Sequence, residues 1–163
     1  MILPVLQYPD PRLLKKSALI EAITPEIREP AANMIETMYA RNGIGLAAPQ
    51  VGVLQRMIVV DVSGPEHEPN PSVYINPKLV CSGADVESDE GCLSVCEYTA
   101  VVLRYQNVHL EALDLDGQAI SIDAEGILAI CLQHECDHLE GKLFIDHISP
   151  LKRMMYDRKL KKK

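Results

Sequence analysis

One stretch, Gly126–Gly141, reading GILAICLQHECDHLEG, constrains this chain more than any other. It contains His134-Glu135-Cys136-Asp137-His138, an H-E-x-x-H pattern. On an α-helix, residues four apart share a face and lie about 6 Å apart along the axis. Two imidazoles so spaced suit one metal ion, and the carboxylate beside the first can move a proton on a water held there. Helical spacing extends through the stretch, with Ile127, Cys131, His134 and His138 on one stripe. No Pro interrupts it. Asp123 is placed to cap the start and Gly141 to end it. The same pattern also fits a core helix with two hydrogen-bonded histidines. Two histidines leave a metal underligated, so the metal reading depends on a third ligand.

A zincin-type metallopeptidase takes that ligand from downstream, in the continuation x-x-G-x-x-H. Gly141 is in place, but Phe144 stands where the His belongs, and Glu140 is the last Glu of the chain. Asp146, His147 and Asp157 are the other downstream candidates. Upstream, Glu90-Gly91-Cys92-Leu93-Ser94 offers a thiolate. Cys96 leaves two arrangements open. One is a catalytic site of Cys92, His134 and His138 with a water. The other is a structural Cys2His2 zinc-binding module closed by Cys96. Glu135 favours the open site, because a closed one has no need of a carboxylate next to its ligand.

The remaining sequence bounds the setting. The chain has 163 residues, 47% hydrophobic and 24% charged, which suits a single soluble domain over 1–163 with a real core. No apolar run approaches the roughly 18 residues of a membrane span, so no membrane partner is expected. There is no visible secretory leader, and the cysteine count is odd: Cys81, Cys92, Cys96, Cys131 and Cys136. Both features point to a reducing, cytoplasmic location. One Phe, six Tyr and no Trp make a poor stacking platform for single strands, and no DNA partner is expected. The net charge of −7 divides into +6 over Leu151–Lys163 and −13 over the rest. A basic C-terminal helix or tail, about 149–163, has the charge to dock on an anionic partner such as RNA. Charge alone favours a solvated helical end, with cations well placed near a helix C-terminus.

Taken in order, Pro4, Pro9 and Pro11 keep the first twenty residues irregular. Thr24-Pro25 starts a helix that Ile27, Ala31, Met34, Ile35 and Met38 carry to about Arg41, and Asn42-Gly43 ends it. Gly43–Gly52 reads as a tight turn whose backbone something approaches closely. It is neither a dinucleotide fingerprint nor a P-loop. Strands are expected at Met57–Val62, Val73–Ile75, Leu79–Cys81, Val101–Arg104 and Val108–Asp114, with Asp116-Gly117 turning into Ala119–Ile122. Ser149–Leu160 closes the chain as a helix. This order predicts an α+β fold: antiparallel sheets packed around a central helix carrying HExxH, plus a C-terminal helix.

Three ordered motifs carry a resemblance: GIGLAAPQ at 43–50, EGCLS at 90–94 and QHECDH at 133–138. Together they resemble the peptide deformylases of bacterial type, which remove the N-formyl group from new polypeptides. LEGKLFIDHISPLKR is also similar, so the likeness runs from about Val5 to the basic tail. It implies Cys92, His134 and His138 as metal ligands and Glu135 as the catalytic acid/base. It implies Gln50 and the Leu93 N–H as donors to the developing oxyanion. Ile44 and Gly45 would line the substrate channel, and Ile127, Ile130 and Cys131 would wall the pocket for the substrate's Met side chain. Glu90 and Arg104 look like the ion pair that props the Cys92 segment. The implied cofactor is one divalent metal per chain, Fe2+ in cells, with Ni2+, Co2+ or Zn2+ as substitutes. The implied partners are N-formylmethionyl nascent peptides, and the ribosome through the basic tail. Cys96 stands where the family usually has Pro, and Thr99 where many relatives have Arg.

Overall fold

The computed structural model describes residues 1–162. Lys163, the last residue of the expected tail, lies outside the described residues. The first helix, α1, spans Pro25–Ala40. Thr24 is its N-cap residue without a side-chain cap bond, Pro25 sits at the first helical position, and Ile27, Ala31, Met34 and Met38 face inward. Asn42 follows in the left-handed region at φ 58°, a conformation Asn tolerates, and the helix stops there.

Five strands follow: β1 Gly45–Ala47, β2 Met57–Val60, β3 Ser72–Cys92, β4 Val95–Leu113 and β5 Ala119–Glu125. They form one antiparallel sheet in sequence order, where several sheets were expected. The expected short strands at 73–75 and 79–81 are one long strand, and so are 101–104 and 108–114. The cause is a set of register shifts between β3 and β4, at Ile75/Lys78, Ser82/Asp85 and Glu90/Cys92. Each bulge breaks the two-residue alternation by which a strand is read, yet pairing resumes beyond it. Asn76 and Gly83, both at positive φ, mark two of these breaks.

Helix α2 spans Gly126–Leu139 and includes His134 to His138. Its N-cap residue is Glu125, not Asp123, because β5 runs on through Asp123 and pairs it with His109. Ala129, Cys131, Leu132 and Leu139 pack against Ile58, Val60, Tyr74, Val108 and Leu110 of the sheet. Leu132 is fully buried, and such a side chain contributes about 2 kcal/mol. Gly141 turns the chain out at φ 74°. A Cβ there would come within 2.6 Å of the Leu14 carbonyl oxygen, so only glycine fits.

Helix α3, Pro150–Lys161, is capped by Ser149 Oγ accepting from Lys152 N–H. It is not freely solvated. Tyr156 is buried in a cluster with Val95, Val102, Leu143, Phe144 and Ile145, and it stacks on Tyr98 at 4.7 Å. Its hydroxyl donates to the Cys96 carbonyl at 3.0 Å. A second cluster packs α1 against β1, β2 and the Ala48–Val51 turn through Met34, Met38, Leu46, Ala48 and Met57. No helix among the described residues is long and apolar enough to cross a membrane.

Candidate active site

Cys92 is the last residue of β3, paired with Val95 across the turn formed by Leu93 and Ser94. That turn brings the thiol over α2. Ligand atoms of Cys92, His134 and His138 lie within 4.8 Å of one another, and Cys92 Sγ is 3.5 Å from His138 Nε2. A metal with Zn–S and Zn–N bond lengths of about 2.3 and 2.1 Å at a tetrahedral angle would place those two atoms about 3.6 Å apart. The donor set and its spacing therefore fit a divalent metal. Cys96 is exposed and stands outside this group.

The electrostatics point the same way. Burial opposes a charge on His134, yet Glu135, Cys92 and Glu90 around it raise its pKa well above the usual imidazole value. The pocket thus draws positive charge. Burial together with the His134 charge pushes His138 well below it.

The ligands are held from behind. His134 Nδ1 is 2.9 Å from Glu90 Oε1, which leaves its Nε2 for a metal. Arg104 donates to both Glu90 oxygens at 2.8 and 2.6 Å and to Asp137 at 2.8 Å. Asp137 in turn meets His147 Nε2 at 2.9 Å. Burial raises the Glu90 carboxyl, but hydrogen bonds from Arg104 and His134 overcome it and bring the pKa to about 2. The Glu90–Arg104 pair is the one that the resemblance implies. Asp137 and His147 were not linked in the sequence, since nothing in the spacing says that a turn after α2 folds back onto the helix.

Glu135 is buried, and its Oε1 has no hydrogen-bond partner among the described residues. Burial, reinforced by Glu90 and opposed by His134, pushes its carboxyl up to about 7. Gln50 is oriented on both sides. Its Oε1 accepts from Ala47 N–H at 2.9 Å, and its Nε2 donates to Ser94 Oγ at 3.0 Å and reaches Cys92 Sγ at 3.5 Å. Ser94 had no signal in the sequence beyond its place in EGCLS. It also donates its own N–H to Cys92 Sγ at 3.4 Å.

One cavity of about 900 Å3 gathers these groups. Gln50, Cys92, Leu93, His134 and Glu135 line it, as do Ile44, Gly45, Ile127, Ile130 and Cys131. His138 lies behind the lining, buried, and reaches the cluster through Nε2. β1 occupies an edge of the sheet and pairs only with β2, so one side of its backbone is left toward the cavity. The Ile44 carbonyl already accepts from Asp61 N–H at 2.8 Å. A Cβ on Gly45 would lie 2.5 Å from Glu135 Oε2, which explains a glycine beside the carboxylate.

The profile of the polypeptide deformylase family matches residues 2–154. The chain belongs to that family. The peptide deformylase of Acinetobacter baumannii strain SDF is 49% identical over 162 residues, which cover 99% of this chain and 91% of that one. A crystal structure of a peptide deformylase from Legionella pneumophila superposes with a TM-score of 0.92 at 45% identity, covering 99% of this chain and 95% of that one. The peptide deformylase from Ehrlichia chaffeensis, solved in complex with actinonin, gives 0.91 at 41% identity over 99% and 96%. Deformylase membership thus covers the hairpin that carries Cys92 as well as α2.

Proposed function

We propose that this chain is a metal-dependent peptide deformylase that releases formate from the formyl-Met terminus of nascent polypeptides. The observation that carries this reading is the convergence of Cys92, His134 and His138 on one point, beside an oriented Gln50 and a buried Glu135 whose Oε1 accepts no hydrogen bond among the described residues. The whole chain, 1–163, acts as one catalytic domain, with α2 as its central element and the basic helix at its end.

Cys92, His134 and His138 hold the divalent metal, Fe2+ in cells, with Ni2+, Co2+ or Zn2+ as substitutes. Bound there, it supplies Lewis acidity toward the formyl oxygen and the attacking water. The other steps belong to the chain. The β1 edge at Ile44 and Gly45 holds the extended peptide, and Ile127, Ile130 and Cys131 wall the Met side chain. Glu135 takes the proton of the attacking water and passes it to the leaving amine. Gln50 Nε2 and the Leu93 N–H donate to the oxygen as charge gathers on it, worth about 3 kcal/mol for each donor. Formate and a free α-amine leave.

The two alternatives fare worse. A Cys2His2 module needs Cys96, which lies outside the ligand group. A zincin needs a ligand at position 144, and Phe144 is a buried core residue stacked near His134. The test is direct. Protein shown to hold one Fe2+ or Ni2+ per chain, loaded anaerobically, releases formate from formyl-Met-Ala-Ser, and Glu135→Ala abolishes release. No formate from the loaded protein overturns the reading. The setting is the cytoplasm. For the basic C-terminal segment the proposed partner is the ribosome.

A further inference from the structure

The cavity that holds Glu135 does not stop at the tip of the β3–β4 hairpin. Glu97, Tyr98 and Thr99 line it, and the same three residues line a second groove of about 470 Å3. To that groove β4 adds Ala100 and Val101, and α3 adds Lys152, Met155, Tyr156 and Lys159. Val101 and Met155 are 59% and 61% exposed, two large apolar side chains left in water on facing elements. The two spaces differ in charge. Glu87 and Asp89 border the inner cavity, and no Lys or Arg among the described residues lines it. The outer groove has two lysines, Lys152 and Lys159, against one acidic residue, Glu97. At the inner end lies the buried Glu135, whose Oε1 accepts no hydrogen bond among the described residues.

We infer that the outer groove is a second binding site for the substrate itself. A formylated peptide whose first residues occupy the inner cavity continues past Thr99 and lays an apolar side chain between Val101 and Met155. A downstream carboxylate then meets Lys152 and Lys159. The inference rests on the deformylase reading above, and the argument for this occupant is continuity: one strand segment, 97–99, borders both spaces. An extended chain advances about 3.3 Å per residue, so a tripeptide ends within the inner cavity while a peptide of about eight residues passes beyond it. The charge contrast sets direction. Acidic residues are disfavoured near the formyl end and favoured further along.

The test compares formyl-Met-Ala-Ser with a longer peptide extended by leucines and glutamates. The longer peptide is expected to show kcat/KM about tenfold higher, since burying one apolar side chain supplies that factor. Met155→Glu, and separately Lys152→Glu with Lys159→Glu, should remove the gain and leave tripeptide turnover as it was. The charge-reversed variant should also turn the preference from glutamate to lysine extensions. Equal rates for short and long peptides overturn the inference, as does a gain that survives both variants. If the length series is flat and the wild type forms a concentration-dependent dimer that Met155→Glu abolishes, the groove serves a second copy and the inference fails. No turnover of the tripeptide itself would instead overturn the deformylase reading.

Discussion

Glu135 shows how much a single residue draws from its surroundings. In H-E-x-x-H it is one carboxylate among 23 acidic residues, and burial is what sets it apart. Without a metal its carboxyl titrates near 7, because burial disfavours the charged form and Glu90 adds to that. Metal-free protein is therefore expected to show a protonated carboxylic acid band at pH 6 in difference infrared spectra, lost by pH 8.5 and absent from Glu135→Gln. A cation at Cys92, His134 and His138 favours the carboxylate, so loading should move this transition to lower pH. In metal-loaded protein, Glu135→Gln should keep its metal and lose about 10²–10⁴ in kcat, the usual worth of a positioned acid/base. Gly45 is the other residue with no latitude. Gly45→Ala drives a methyl into the Glu135 carboxylate, and a displacement on the scale of 1 Å costs roughly a hundredfold in kcat/KM. Steady-state formate release with metal content measured alongside separates this from metal loss.

At the scale of elements, the site exists because β3, β4 and α2 are tied by one chain of charges. Glu90 on β3 holds Arg104 on β4, and Arg104 reaches Asp137 on α2. The folded carboxyl of Glu90 lies at about 2, below its ordinary 4.5. Its contribution to stability is therefore complete above pH 4.5 and is lost as pH falls toward 2. Glu90→Ala removes that pH dependence and leaves the buried guanidinium with Asp137 alone, at a cost of about 3 kcal/mol. It also frees the His134 ring, which should weaken metal binding by roughly 10–100-fold. Denaturant titration and chelator competition on the same variant check the two effects. The bulges in β3 and β4 explain why those strands were legible only in pieces. Local alternation reports the flanking segments, and the pairing that bridges a break is a contact between distant residues.

Over the whole molecule, α3 is the element whose meaning changes most. Its charges read as a solvated helical end, and α3 is nonetheless anchored. Tyr156 fills the cluster under β4, and Asp157 accepts from Tyr8 at 2.7 Å. Removing residues 151–163 would therefore uncover core as well as remove charge. Tyr156→Ala is expected to cost about 3 kcal/mol and to raise amide exchange along α3 and residues 95–98. Reversing Arg158 and Lys161 leaves that anchor in place and spares the groove's Lys152 and Lys159, so it isolates any role of charge in ribosome binding. The same packing places Lys152, Met155 and Lys159 beside Val101, which makes the groove outside the catalytic cavity possible.

The sequence alone determined what depends on neighbours a few residues apart. The helix from Pro25, the helix holding His134 and His138, the glycine that ends it, and the candidacy of Cys92 all follow from spacing and residue chemistry at short range. Whether a thiol 42 residues upstream reaches those imidazoles is not a short-range question. The Leu93–Ser94 turn, the bulges that bend β3 and β4, and the burial of Glu135 come from packing between segments far apart in the chain. Tertiary structure therefore decided which cysteine joins the ligand group, how Gln50 is aimed and where α3 lies. Each of those depends on distances and on the exclusion of water, and neither is written in local pattern.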